Sequence, residues 1–281
     1  MSLRKVFFIL LVFTLFSVCA LADAPELRGY LKGQGYQYVT FGVYPYSETG
    51  ETAPVLWRVL GRGTPEDDDL NNADNDMGRK ITKYATGDDL SGENADVFCL
   101  MTEYIIDFTL YHDAADTADG PALDYKDTRI REYLNGELLS RLLTPEEQSA
   151  LVFMPQRGLI SAPSRKGELF RPDYGFVTED FVALARRSTY GTPYAYSLGL
   201  KRIKGNSWYW TSDWRAPGRR WIVGDNGHIS VSGLVREGGV RPVVYVHADA
   251  LTCLGGEGTM EDPFRLTVLP LATQPQDDAQ N

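Results

Sequence analysis

The chain of 281 residues carries 38 acidic against 28 basic side chains, a formal net charge of −10, and 43% of it is hydrophobic. A surface of that sign repels phosphate backbones, and no basic stripe interleaved with aromatic residues offsets it, so nucleic acid is not an expected partner. With 3 histidines and no Gly-x-Ser-x-Gly, His-Glu-x-x-His, phosphate-loop or dinucleotide pattern, the sequence spells out none of the common catalytic signatures.

Arg4 and Lys5 precede an apolar run over residues 6–18, too short to span a bilayer comfortably. Ala20 and Ala22 then put small residues on the near side of a cleavage site that opens at Asp23. Residues 1–22 therefore read as a signal peptide, and the protein is expected to be secreted, periplasmic or extracellular. Cys19 raises a lipid anchor, but Val18 stands where lipid modification wants a small residue, so free export is preferred. No later stretch approaches a membrane span, and no transmembrane anchor is expected in the mature chain. Residues 23–269 are expected to form one domain and residues 270–281 a disordered polar tail.

Tyr36, Tyr38 and Thr40 alternate with Gln37, Val39 and Phe41, which suits a pleated strand ending near Pro45. Val55-Leu56-Trp57-Arg58-Val59-Leu60 is a second strand. Residues 64–76, acidic and almost without apolar anchors, read as a solvated loop, and 97–102 as a buried strand. The period then changes. Ile130, Leu134, Leu138 and Leu142 recur every fourth residue and predict an amphipathic helix over 128–143, weakened by Gly136. Thr144-Pro145-Glu146-Glu147 starts another, with Thr144 as cap, Pro145 in the first helical position and Glu147 completing a capping box. A third short helix is expected after Thr178, with Glu179 and Asp180 in its first turn and Arg186 and Arg187 near its end. Strands return at 208–211, 221–223, 229–231, 240–246 and 264–269. Gly224-Asp225-Asn226-Gly227 signals a hairpin turn. Pro242 lacks a ladder donor, so a strand begins there or has an edge there. Gly255-Gly256-Glu257-Gly258-Thr259 is a loop. Helices grouped between blocks of strands make the fold class α+β.

Two cysteines follow the leader, Cys99 and Cys253. In an oxidising compartment they could pair, contributing about 2–4 kcal/mol. Cys99 sits in an apolar run, however, and equally suits a small buried hydrophobe.

Five segments form an ordered series: Phe41-Gly42-x-Tyr44-Pro45, Trp57-Arg58-Val59-Leu60, Arg129-x-x-x-x-Leu134-Asn135-Gly136, Trp208-x-Trp210-Thr211-Ser212 and Gly239-Val240-Arg241-Pro242-Val243. From Tyr36 to Ala248 the series resembles a bacterial domain-of-unknown-function family running from an FGxYP…WRVL opening to a WWLRS…VRPA ending. The last two segments are also similar to the Fibrobacter major paralogous domain. Both resemblances imply a relation to the formylglycine-generating-enzyme and C-type-lectin-like folds, hence a single C-type-lectin-like domain. They imply a fold more than an activity. Calcium-dependent lectins carry Trp-Asn-Asp where this chain has Trp210-Thr211-Ser212-Asp213, so the calcium–sugar site is not carried over. Cys99 and Cys253 lie outside the motifs, so reactive-cysteine catalysis is not carried over either.

His112, Asp113, Asp116, Asp119 and Asp124 are the densest set of oxygen and nitrogen ligands, and Asp67, Asp69 and Asn71 alternate like the start of a calcium loop. Neither has the complete spacing, and an acidic loop is more often simply solvated. No cofactor is expected, calcium being the ion these loops would suit. Trp208, Trp210, Trp214 and Trp221 with Arg215, Arg219 and Arg220 combine the side chains that dominate recognition surfaces. Trp208 and Trp210 share a strand face and are expected in the core. Trp214 is expected in a loop, so Asp213, Trp214 and Arg219 are the candidate binding surface. Arg241 is expected to satisfy buried carbonyls beside Pro242. The expected function is an exported, non-catalytic binding or surface-interaction module for a cell-envelope glycan or surface protein. An extracellular enzyme on a related scaffold and a purely structural surface protein are the alternatives.

Overall fold

The computed structural model describes residues 27, 33–45, 50–63, 97–113, 124–156, 159–161, 173–174, 178–185, 208–216, 218–224 and 227–269. Strands β1 (Tyr38–Pro45), β2 (Thr52–Gly63) and β3 (Val97–Thr102) lie antiparallel side by side, and β4 (Asp107–Leu110) joins a different sheet. A helical region follows: the main helix α1 (129–142), then α2 (Pro145–Gln148). Short strands come next: β5 (Leu151–Val152), β6 (Met154–Gln156), β7 (Leu159–Ser161), β8 (Asp173–Tyr174), β9 (Thr178–Asp180) and β10 (Val182–Leu184). The chain ends in β11 (Tyr209–Ala216), β12 (Arg219–Val223), β13 (Ile229–Gly233), β14 (Glu237–Val240), β15 (Pro242–His247), β16 (Leu251–Cys253) and β17 (Phe264–Val268). The larger sheet has the order β10-β15-β3-β2-β1-β17-β16, with β5 also on β15, and the smaller β13-β12-β11-β14-β4. The fold is α+β, mostly strand with one main helix.

Helix α1 joins Arg129–Tyr133, a π turn over Leu134–Leu138, and Leu139–Leu142. Ile130, Leu134, Leu138 and Leu142 are all fully buried, as their four-residue recurrence requires. The widened turn sets Asn135 against strand β10. Its side-chain amide accepts from Val182 N at 3.0 Å and donates to Val182 O at 3.0 Å. At its far end the helix meets β1 at Gly42, whose φ is 70° and where a Cβ would lie 2.4 Å from Leu142 O. Only glycine fits that approach. Helix α2 is short but carries the capping box: Thr144 Oγ1 accepts from Glu147 N, and Thr144 N donates to Glu147 Oε2 at 2.8 Å.

Two buried clusters join the two sheets. Phe41, Trp57 and Leu100 of the larger pack in the same cluster as Trp210, Ile222 and Val240 of the smaller, with α1 between them in sequence and beside both in space. Among the described residues the chain changes between these sheets four times: at residues 103–106, between β4 and β5, between β10 and β11, and at Arg241. The 240–246 strand is thus two strands, and Pro242 begins the second. Arg241 is 2% exposed; its Nε donates to Thr102 O and its Nη2 to Glu103 O, each at 2.9 Å. It therefore satisfies the carbonyls that the first crossing turns away from any ladder.

One further expectation, the helix after Thr178, is overturned, and of the two readings left open for the cysteines the unpaired one is found. Thr178 opens no helix: Thr178–Asp180 and Val182–Leu184 are strands. Asp180 is buried, accepts from Arg131 Nε at 2.9 Å and from Thr178 Oγ1 at 2.8 Å, and so does not serve a helix first turn. Val182, Ala183 and Leu184 pair with β15 and are buried, and that burial outweighs the local helix-start signal. No disulfide joins Cys99 and Cys253; both are thiols. Cys99 packs in the core on β3, and the Cys253 thiol bonds the backbone of Gly255. Arg186, Arg187, the leader, the 64–76 loop and the 270–281 tail lie outside the described residues.

Candidate functional site

The N-terminal end of β1 and the loop before β17 come from opposite ends of the domain and meet because β1 and β17 pair in parallel, Val39 with Phe264 and Thr40 with Arg265. Tyr38 N donates to Gly258 O at 2.9 Å and closes the floor between them. Above that floor lies a cleft of about 430 Å³. Gln34, Tyr36, Gln37 and Tyr38 form one wall; Glu257, Thr259, Met260 and Glu261 form the other.

The second wall is held by its own backbone. Glu257 N and Gly258 N both donate to Asp262 O, at 2.9 and 3.0 Å, and Asp262 N donates to Thr259 Oγ1 at 3.0 Å. Arg265 Nη1 donates to Asp262 Oδ1 at 3.1 Å. Gly256 has φ 105°, and a Cβ there would stand 2.1 Å from Pro263 O; at Gly258, φ 75°, it would stand 2.3 Å from the Phe264 ring. The glycines the sequence marks as a loop thus set a fixed shape with Glu257, Thr259 and Glu261 exposed on it.

Behind the first wall Arg58 pairs across the ladder with Tyr38. Its guanidinium lies 4.8 Å from the centre of the Tyr36 ring and 5.8 Å from that of Tyr38. The same group makes a two-pronged, buried ion pair with Glu103 at 2.6 and 2.7 Å. Arg58 is therefore neutralised by Glu103 and acts as a backing for the tyrosines. Burial holds the Tyr38 phenol above its ordinary pKa, with the Arg58 charge opposing.

The residues singled out in the sequence fall elsewhere. Trp214 is not in a loop but in β11, its backbone opposite Arg220, and β11 continues to Ala216 opposite Arg219. The register shifts twice along this hairpin, between Trp210 and Trp214 and between Trp214 and Ala216, and such bulges re-aim side chains. Asp213 shares that strand, Arg219 is exposed where β12 begins, and Arg220 is buried. The side chains of Asp213, Trp214 and Arg215 lie outside the described residues. Trp210 is core, its Nε1 donating to Thr109 O at 2.9 Å, and Trp208 packs edge-on against it at 4.7 Å. Gly238 exists to admit them: a Cβ there would stand 2.2 Å from Trp208 and 2.8 Å from Trp210.

Of the acidic stretch, Asp113 pairs with Arg129, and Asp124 caps the turn at Tyr125–Asp127. Asp116, Asp119, Asp67, Asp69 and Asn71 lie outside the described residues. Among the described residues no three His, Cys, Asp or Glu side chains converge as a metal site. A second polar cluster joins β1, β4 and α1: the Tyr44 and Tyr133 hydroxyls both donate to Asp107 Oδ2, and Arg141 Nη1 donates to the same oxygen at 3.3 Å. Arg141 also covers the Tyr44 ring at 4.9 Å. Both oxygens of the Asp107 carboxylate are engaged, Oδ1 accepting from Phe108 N at 2.7 Å, and the cluster reads as a tie between elements.

No protein-family model, curated protein or solved structure matches this chain. No helix among the described residues is long and apolar enough to cross a membrane.

Proposed function

We propose that the protein is an exported, non-catalytic binding module on a C-type-lectin-like frame, taking an extracellular or cell-envelope component, a glycan or a protein surface, as its ligand. The observation that carries this is the cleft between Tyr36 and Tyr38 on one side and the glycine-fixed loop with Glu257, Thr259 and Glu261 on the other. Aromatic faces beside amides, a hydroxyl and carboxylates are the groups that stack on and hydrogen-bond a polyhydroxylated ligand, and a wall already rigid loses little entropy on binding. The C-type-lectin-like reading rests on the ordered motif series and the exported reading on residues 1–22. Asp213, Trp214 and Arg219 on the bulged β11–β12 hairpin are proposed as a second contact surface, supported by Arg219 being exposed at its tip.

The test is thermal unfolding of the exported chain from Asp23 onward with a panel of cell-wall and host glycans, with calcium and with a chelator. A ligand selective for the native state at about a hundredfold its Kd raises the midpoint by about 5–10 °C for a domain of this size. A glycan shift abolished by substitution in the cleft is expected. A shift confined to calcium moves the site to the acidic loops, and silence across all glycans argues for a protein ligand or a structural role.

A further inference from the structure

The cleft is chemically one-sided. Its two ionisable rim groups other than phenols are Glu257 and Glu261, both exposed, and neither has an ion-pair partner among the described residues. No described lysine or arginine lines it. Among the described residues, the arginines of the flanking strands are committed elsewhere: Arg58 to Glu103 at 2.6 Å behind the tyrosines, and Arg265 to Asp262 at 3.1 Å. The remaining lining is two tyrosines, two glutamines, a threonine, two glycines and the thioether of Met260. Tyrosine faces attract cations as well as sugar rings. The chain as a whole is acidic at −10, which draws cationic ligands towards it.

We infer that the cleft takes a glycan bearing free amines, its ammonium groups between Glu257 and Glu261 and its rings against Tyr36 and Tyr38. This rests on the binding-module reading and narrows its ligand class. A neutral glycan can hydrogen-bond both carboxylates but leaves their charges uncompensated. An anionic one would meet them as like charges. A cationic amino sugar satisfies both the carboxylates and the tyrosines. Binding is non-covalent and needs no other reactant.

The experiment compares two probes of one scaffold, a glucosamine oligomer and its fully N-acetylated counterpart, by calorimetry on the exported chain in mildly acidic buffer where the amines are protonated. A neutral-glycan panel and a lysine oligopeptide run alongside. The glucosamine oligomer is expected to bind, the acetylated one at least about tenfold more weakly, and added salt to weaken the first more than the second. Combining Glu257→Gln with Glu261→Gln should cost about tenfold for the glucosamine oligomer without moving the unfolding midpoint, since both side chains are exposed. Equal affinity for both oligomers, unaffected by the double substitution, overturns the cationic ligand and leaves the glycan-binding reading standing. Binding of the lysine oligopeptide without the glucosamine oligomer overturns the amino-sugar assignment in favour of a basic protein segment. No binding by any probe overturns this inference, and with a silent neutral panel the glycan reading fails too.

Discussion

Arg241 shows how much one side chain can be asked to do where a chain changes sheets. It donates to two backbone carbonyls, lies 4.0 Å from Glu103 Oε2 and covers the Tyr209 ring at 5.2 Å, while Glu103 also holds Arg58. The guanidinium fork reaches Thr102 O and Glu103 O together, and a lysine has one nitrogen for both. Arg241→Lys is therefore expected to cost about 2–4 kcal/mol in urea unfolding, through a buried carbonyl left without a donor. A loss within experimental error would mean that the carbonyls find another donor. A second residue-level prediction concerns pH. Burial first, then the bond to Asp107 and its negative charge, hold the Tyr44 and Tyr133 phenols well above their ordinary pKa. Unfolded, both ionise near about pH 10. Above that the folded chain binds more protons than the unfolded one, so stability falls as pH rises through and beyond it. Tyr44→Phe removes one of the two groups and should make the alkaline fall shallower, as read by urea midpoints in an alkaline series. An unchanged slope would show that the phenols ionise freely.

At the level of elements, the sequence motifs turn out to be packing instructions. Gly42 lets α1 end on β1, Gly238 lets Trp208 and Trp210 pack edge-on beside β14, and Pro242 starts β15 where a donor is not needed. Asn135 gives the clearest case. The π turn carries its amide to strand β10 at the edge of the larger sheet, where it meets both the N–H and the C=O of Val182 as a neighbouring strand would. Val182 is fully buried, so water cannot replace those bonds. Asn135→Ala should cost about 2–4 kcal/mol, because two buried backbone groups lose their partner at once. Asn135→Asp should also destabilise: it keeps an acceptor for Val182 N but sets a carboxylate against Val182 O. Losses under about 0.5 kcal/mol for both variants would make the contact incidental.

For the whole molecule, what could be read from the sequence was local in origin. The four-residue recurrence of Ile130 to Leu142 placed the helix, Thr144 with Glu147 the capping box, and Gly224 to Gly227 the β12–β13 hairpin, in which Val223 pairs with Ile229. The helix expected at Thr178 failed because Val182–Leu184 pair with β15 and Asp180 answers to Arg131 on α1, partners that no local pattern reveals. The cleft was missed for the same reason. The alternation of Tyr36 and Tyr38 and the glycines at 255–258 were both visible, but only the parallel pairing of β1 with β17 brings them together. Long-range pairing also determines how the molecule should unfold. The two sheets share their buried clusters, and among the described residues the chain crosses between them four times, with Arg241 bonding the last crossing to the first. Neither sheet has an apolar interior of its own to retain when the other opens, so one cooperative transition is expected. Trp57 reports on the larger sheet, its Nε1 bonded to Phe41 O at 2.7 Å, and Trp210 on the smaller, bonded to Thr109 O at 2.9 Å. Urea curves from Trp57→Phe and Trp210→Phe variants, followed by tryptophan fluorescence and by far-ultraviolet dichroism, should coincide between the two probes in each variant. Separate midpoints for the two probes would mean that the sheets open independently. The Arg241→Lys variant should then move both signals by the same amount, because its bonds belong to the junction and to neither sheet alone.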